Sequence, residues 1–575
     1  MKKQLFFGLV AALGLSACSS DDNLPGGEVT PDAGTHFLSV NIVPTANNAG
    51  GRAAGDKVTG DPNNGATYEE GYASENKVEK VRFYFFNSDG TAATVKANET
   101  NYFDWKAEDA GTNNMPNVEK QLNAVVVIST KDGDKLPTKM VAVLNFDKEG
   151  LGNESLSLTA LRNRTKDYVA TATGENGAFV MTNSVYSYGN TTEMAATDVP
   201  ASAYQTTQDL ALNNPVHIFV ERNVAKVRVK FADGLNTDKG IVLTDGNGNA
   251  IKVNGKEVYF KPTAWDLTAQ TNEGYLSKHI DATWSNDLFG TEPWNWSAYS
   301  RSYWAINPTS ATQSWPSYTS LMDGGKQFDG TIANSLYTNE NAPAIENWIG
   351  IQDVAQGGGI EKFTKVIIGG KVVDSEGNAV EICKYAGVTL VGEDALKTAL
   401  LDQLKNNGMI YTKDGENSSR SLTAADVKFK TAKQAGQEAD GESNPGHYYV
   451  YLQLTDDAKA LSWYTDIECT KTVDSEVNTY LVKQVGTSQI YKGGLSYYYF
   501  PLRHLGADDK TGYYGVVRNH IYECNVNTIT GLGTPVYDPD ENIWPEKPVD
   551  EDTYIAAKVN ILSWRVVPNN VDLKW

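Results

Sequence analysis

The chain has 575 residues, enough for several domains, with 50 Lys and Arg against 71 Asp and Glu and a formal net charge of -21. That balance excludes a nucleic-acid binder, which needs a basic face to displace counterions from phosphates. Charged residues at 21% and hydrophobic residues at 40% exclude a disordered acidic tail and a bundle of membrane spans, and four Cys and six His leave neither a disulfide framework nor a multi-histidine metal site.

The first residues read as an address. Met1-Lys2-Lys3 is a short positive region, and Leu5 to Leu15 is an apolar run too short to span a bilayer. Leu15-Ser16-Ala17-Cys18 has the form of a lipobox, in which Cys18 is acylated and becomes the first mature residue after a signal peptide of residues 1–17. An ordinary secretory signal with an incidental Cys is the alternative. Ser19-Ser20-Asp21-Asp22 resembles the surface-export signal of Bacteroidetes lipoproteins. The precursor is therefore expected at the outer membrane, touching it only through its lipid.

Short alternating runs separated by Gly, Asn and Asp predict an all-β chain. Val81 to Phe85 and Val141 to Leu144 are two such runs, and Ala124 to Ile128, apolar on both faces, predicts a central strand. Ala225, Val227, Val229 and Phe231 share one face, with Lys226, Arg228 and Lys230 on the other, which predicts a half-buried strand. Val366 to Tyr385 predicts a hairpin turning at Asp374 to Asn378. One helix is predicted over Glu393 to Asn407, with Leu396, Ala399, Leu400 and Leu404 on one stripe and Gly408 as its stop. The expected organisation is two β-sandwiches, residues 53–215 and 216–533, with few short helices. Residues 534–552, with four Pro and seven acidic residues against one Lys, predict an extended linker.

The two ends carry the functional reading. Beyond the linker, residues 553–575 predict two apolar strands. Ile555, Ala557, Val559 and Ile561 share a face, the phase shifts to Leu562, Trp564 and Val566, and Val571 and Leu573 follow Pro568. Such strands can fold back on their own sandwich or fill a groove elsewhere. At the other end Leu38, Val40 and Ile42 alternate on one face, and Val40-Asn41-Ile42 matches Val559-Asn560-Ile561. Arg52-Ala53 follows a polar stretch and is an expected site for an Arg-specific protease, so residues 18–52 form a lipidated propeptide. The expected mechanism is that cleavage after Arg52 releases the strand of Leu38, Val40 and Ile42. The donor residues Val559, Ile561, Leu562, Trp564, Val566, Val571 and Leu573 of another copy then fill its place by β-augmentation.

Several stretches resemble Bacteroidetes fimbrillins of the minor-fimbria type, type V pilins. They are the lipobox, Arg52-Ala53, Glu221-Arg222-Asn223-Val224-Ala225-Lys226, Val517-Arg518-Asn519-His520-Ile521-Tyr522 continuing to Leu532-Gly533, and Val559 to Leu573. Lys574-Trp575 extends slightly beyond that family's usual Val-Asp-Leu end. The resemblance implies two transthyretin-like Greek-key sandwiches and a C-terminal donor-strand extension. It also implies a self-assembled shaft with accessory tip and anchor subunits, located in a surface fimbrium and able to meet host or bacterial surface ligands.

Enzymatic chemistry is not expected. Zincin, P-loop, nucleophile-elbow and dinucleotide motifs are missing from the sequence. Asp245, Asn247 and Asn249 have calcium-loop spacing, but Ala250 replaces the required Gly and Lys256 the bidentate Glu, so a hairpin turn is expected and no metal or cofactor. Cys383, Cys469 and Cys524 allow one disulfide and a free thiol, or three buried thiols. Trp294, Trp296, Tyr299, Tyr303, Trp304, Trp315 and Tyr318 pack under a loop or, in the alternative function of a glycan-binding surface lipoprotein, stack on sugars.

Overall fold

The computed structural model describes residues 34–44, 74–95, 100–106, 122–129, 135–173, 178–184, 196–235, 237–279, 305–341, 363–436, 448–504, 515–543, 554–562 and 567–568. The apolar runs form strands wherever one or both faces find a core. β1 (Thr35–Pro44), β2 (Lys80–Phe86), β3 (Tyr102–Lys106), β4 (Leu122–Ser129), β5 (Lys139–Leu144), β6 (Met181–Asn183), β7 (Thr197–Asp198) and β8 (Val216–Arg222) make an eight-stranded sheet. Its order is β3-β2-β5-β6-β8-β1-β4, with β7 set against β5. The sheet folds over one core in which Leu38, Val40, Ile42, Val81, Phe83, Val126, Ile128 and Ile218 meet. The amide of Ser129, at the end of β4, donates to the Val95 carbonyl at 3.1 Å, close to the opposite end of the sheet.

The next strands open a second sandwich: β9 (Ala225–Phe231), β10 (Ile241–Val242), β11 (Tyr259–Thr268), β12 (Leu336–Thr338) and β13 (Lys365–Val373). The chain then leaves it for a separate layer. β14 (Ile382–Tyr385), β15 (Val388–Val391), β16 (Val427–Thr431), β17 (Val450–Leu454) and β18 (Thr487–Tyr491) form a five-stranded sheet in the order β15-β14-β18-β17-β16. Helices α1 (Glu393–Asn407) and α2 (Val477–Val485) share its core through Leu396, Leu400, Leu404, Leu481 and Val485. Glu393 and Asp394 in the first turn of α1 and Lys405 in its last suit the helix dipole.

The chain returns with β19 (Leu495–Pro501), β20 (Ile521–Thr530), β21 (Thr534–Pro535), β22 (Tyr554–Leu562) and β23 (Val567–Pro568). Two five-stranded sheets result, β12-β9-β20-β22-β23 and β10-β11-β13-β19-β21. Val227, Val229, Phe260, Trp265, Ile368, Tyr498, Phe500, Tyr522 and Cys524 fill the core between them. β13 has Gly370 where β11 bulges between Pro262 and Ala264. The Tyr318 hydroxyl donates to the Gly370 carbonyl at 2.5 Å, and a Cβ at Gly370 would press on the Lys261 carbonyl oxygen and the Phe260 ring. Because backbone cannot yield as a side-chain tip can, Gly370→Ala is expected to cost about 1–3 kcal/mol, read as a lower urea midpoint with an unchanged slope.

The expected all-β sandwich class holds, with differences in particular elements. The strand beginning at Val216 belongs to the first sheet, so sheet membership changes at Asn223–Val224 rather than after residue 215. Residues 382–491 make a core of their own inside the expected second sandwich. β4 ends its sheet path instead of lying at its centre; Val125 and Val127 are only partly covered. The turn at Asp374 forms as expected, with the Asp374 amide 2.9 Å from the Asn378 carbonyl, but β14 then joins the inserted sheet. Lys226 and Arg228 of β9 are buried, not solvent-facing. The expected linker is docked as far as Ile543: β21 pairs with β19, Val536 and Ile543 are buried, and the Ile543 amide donates to the Pro316 carbonyl. Its acidic residues are held from the neighbouring elements: Asp538 accepts a hydrogen bond from Gln434, Asp540 from Thr319 and Glu541 from Thr431.

Candidate strand-exchange site and sandwich junction

β1 is the last strand but one of its sheet. It pairs antiparallel with β4 from Thr35↔Ser129 to Ile42↔Leu122, and parallel with β8 from Val40↔Val216 to Pro44↔Val220. Leu38, Val40 and Ile42 are 0% exposed, and Ser39 on the other face is 1% exposed. The short helix Gln208–Leu212, capped by the Thr207 hydroxyl, lies along β1 and β4. Phe37 exchanges two backbone hydrogen bonds with Gln205, at 2.8 and 3.0 Å. Among the described residues β1 is the one strand that β4 pairs with along its length. Taking β1 away would therefore leave a slot with an unpaired strand edge on either side and an apolar floor, a state with a high free-energy cost.

At the other end of the chain β22 lies antiparallel to β20 of the same chain, from Ile521↔Leu562 to Thr530↔Tyr554. The register shifts between Val526 and Thr528, so the irregularity falls on β20 and not at the expected phase change of Leu562. β23 turns back to pair Val567 with Ile561. The fold-back arrangement is thus the one present in this single chain. Of the predicted donor residues, Val559, Ile561 and Leu562 lie on β22, whereas Trp564, Val566, Val571 and Leu573 lie outside the described residues. Cys18, Arg52 and Ala53 also lie outside them, as do Trp294, Trp296, Tyr299, Tyr303 and Trp304 of the aromatic stretch. Of the rest of that stretch, Tyr318 is buried and Trp315 half-buried.

Between the β1 slot and β22 lies a buried polar network that the sequence reading missed. β8 leads into β9 through Arg222-Asn223, and β20 is entered through Arg518-Asn519, so the same dipeptide opens both neighbours of the second sheet. The two segments meet. The Asn519 amide donates to the Val224 carbonyl at 2.8 Å, and the Lys226 amide to the His520 carbonyl at 2.9 Å. Asn519 adopts φ 58°, a left-handed conformation that Asn tolerates, and its side-chain oxygen accepts from the Arg222 guanidinium at 3.2 Å. The Lys226 ammonium lies 2.9 Å from Glu75, to which the Tyr337 hydroxyl also donates at 2.5 Å. Lys278 faces Glu221 at 3.6 Å. Arg518, 0% exposed, pairs with Glu340 at 2.6 Å and donates to the Leu276 and Tyr275 carbonyls. Burial alone would lower the Arg518 pKa, but Glu340 and Glu221 carry it above its ordinary value. On β20, burial pushes the Glu523 carboxyl up, and Arg228 and Lys230 outweigh it and hold the group below the usual range. The visible signal for this network was the repeated Arg-Asn dipeptide at 222–223 and 518–519.

The remaining candidates have structural roles. Asp245 accepts hydrogen bonds from the Asn247 and Asn249 amides at 2.9 and 2.8 Å, closing the expected turn. Cys383, Cys469 and Cys524 are buried free thiols, and burial raises the Cys383 pKa to about 12. No cluster of metal-binding side chains occurs among the described residues, and no helix among them is long and apolar enough to cross a membrane.

The chain is thus an all-β protein of two sandwiches joined through a buried polar junction, with a terminal strand laid on a sheet edge. Residues 489–570, which run from β18 past β23, match the family described as "Major fimbrial subunit protein type IV, Fimbrillin, C-terminal". The C-terminal region of the chain is therefore similar to that of a fimbrillin. No curated protein matches the chain. Among solved structures, a fimbrilin (fimA) from Porphyromonas gingivalis is 14% identical with a TM-score of 0.36, covering 92% of this chain and 98% of that one. The tip fimbrial protein Mfa3 from Porphyromonas gingivalis, with C-terminal truncation, is 12% identical with a TM-score of 0.30, covering 92% and 100%. A putative cell adhesion protein from Bacteroides eggerthii is 11% identical with a TM-score of 0.32, covering 96% and 100%.

Proposed function

We propose that the chain is the shaft subunit of a surface fimbria, exported as a lipoprotein acylated on Cys18 and cleaved after Arg52. The released β1 leaves its slot, and the C-terminal strands of another copy enter it. The position of β1 carries this reading. It lies inside the sheet, between β8 and β4, with Leu38, Val40 and Ile42 fully buried. A strand so placed is held by the fold, yet it is joined to the sandwich only through residues 45–73, which contain Arg52. Its loss creates a vacancy that only another extended, apolar segment can fill. β22 and β23 supply one at the edge of the second sandwich, where leaving strips only one neighbour from β20. Head-to-tail filling of this kind propagates without closing. The partners are further copies of the chain, accessory tip and anchor subunits, an Arg-specific protease and the surface ligands of an adhesive fibre.

Treatment of the purified precursor with an Arg-specific protease is expected to yield residues 53–575 and then SDS-resistant ladders, with fibres visible by electron microscopy. Deleting residues 553–575 should leave the untrimmed precursor a folded monomer, and trimming it should give no ladders. A trimmed protein that stays monomeric at high concentration overturns the reading.

A further inference from the structure

The strand-exchange reading leaves open which residues of the C-terminal segment occupy the slot. We propose that they are Ile561–Pro568 of another copy, set in the register that β1 holds over Phe37–Pro44; this rests on the function proposed above. The burial of β1 states what the slot requires. Positions 38, 40 and 42 are sealed and apolar, position 39 is sealed but takes a small hydroxyl, and Asn41 is only half-buried.

In this register Phe37-Leu38-Ser39-Val40-Asn41-Ile42-Val43-Pro44 is replaced by Ile561-Leu562-Ser563-Trp564-Arg565-Val566-Val567-Pro568. Leu-Ser and Val-Pro recur unchanged at the same places. Leu562 and Val566 meet the apolar demand of positions 38 and 42. Ser563 returns the small hydroxyl to the sealed position 39, and Arg565 takes the half-buried position, where a long side chain can carry its charge to water. Pro568 falls where Pro44 ends β1. Trp564 is the one large change, and it stands at the position of Val40, whose neighbours across the sheet are Ala124 on β4 and Val216 on β8. Ala124 is the smallest residue β4 turns to the core, so the indole enters where the facing row is thinnest.

The competing register lays Val559-Asn560-Ile561 over Val40-Asn41-Ile42. It brings Lys558 to the position of Ser39, which is 1% exposed, and Ala557 to that of Leu38, which is 0% exposed. The first buries an ammonium and the second under-fills the core. The longer match, Ile561–Pro568, carries neither penalty.

The registers differ in which residue comes to lie beside Asn123, the exposed β4 partner of Asn41. The test uses two double variants of the full chain, Asn123→Cys with Arg565→Cys and Asn123→Cys with Asn560→Cys. Each is trimmed with Arg-specific protease, allowed to assemble and treated with a short thiol-reactive crosslinker, with the single-substitution variants as assembly controls. The expected result is covalent ladders on reducing, boiled gels from the Asn123→Cys, Arg565→Cys variant and at least tenfold fewer from the Asn123→Cys, Asn560→Cys variant. Fibres that crosslink through position 560, or through neither position, overturn the register while strand exchange stands. If trimmed wild-type protein gives no fibres, the exchange reading falls and takes the register with it.

Discussion

A chain spanning residues 53–552 is expected to lose the cooperative melting of its N-terminal sandwich, and a peptide of residues 553–575 added in trans is expected to restore it. The size of the effect follows from β1. Burying Leu38, Val40 and Ile42 contributes roughly 1.5–3 kcal/mol each, or roughly 5–9 kcal/mol together. Whole domains are stable by only about 5–15 kcal/mol. Losing β1 also unpairs the β1-facing edges of β4 and β8, so the sandwich with an empty slot sits close to zero net stability. A peptide that binds only the folded form adds stability by mass action, about 2.7 kcal/mol at a hundredfold excess over its Kd. Calorimetry separates the outcomes. If 53–552 melts like the precursor, β1 contributes little and cannot be what holds assembly back. If the transition is lost and the peptide fails to restore it, the slot does not accept the C-terminal segment.

The sequence made β1 visible because its apolar residues alternate between two polar stretches, so a single period of two was undisturbed. It also showed helix α1, whose leucine stripe is unambiguous. The inserted sheet of residues 382–491 escaped detection for a physical reason. Its strands are short, and Val388, Thr389 and Val391 of its edge strand β15 are exposed, so that their pattern looks like that of a loop. The boundary between the sandwiches was misplaced because β8 and β9 are almost continuous in sequence. Only pairing partners show that β8 lies beside β1 and β9 beside β20. The polar junction was hidden because a charged residue reads as solvent-facing unless its partner is known. Glu75 and Lys226, like Glu340 and Arg518, are far apart in the chain and touch only in the fold.

Arg518→Met is expected to destabilise the protein by about 3–5 kcal/mol, because removing one member of a buried ion pair strands the other. Arg518 donates to Glu340 through Nε at 2.7 Å, to the Leu276 carbonyl at 2.9 Å and to the Tyr275 carbonyl at 2.7 Å. Gly274–Tyr275 in turn pairs with Thr165–Lys166 of the first unit, and Asn339, beside Glu340, accepts from the Tyr168 amide at 3.1 Å. One guanidinium therefore ties the entry of β20 to two segments that reach the N-terminal sandwich. Methionine fills much of the volume but leaves the Glu340 carboxylate and two carbonyls without that donor. Arg518→Lys keeps the charge but not the planar fork, and its loss should be intermediate. The double variant Arg518→Met with Glu340→Met removes both charges and should fall well short of the sum of the two single losses. Urea unfolding followed by separate probes in the two sandwiches checks this: in Arg518→Met the two transitions should part, since the junction that couples them is gone. Additive losses in the double variant, or an unchanged single transition in Arg518→Met, would show that the junction is held by its backbone pairing and not by the buried pair.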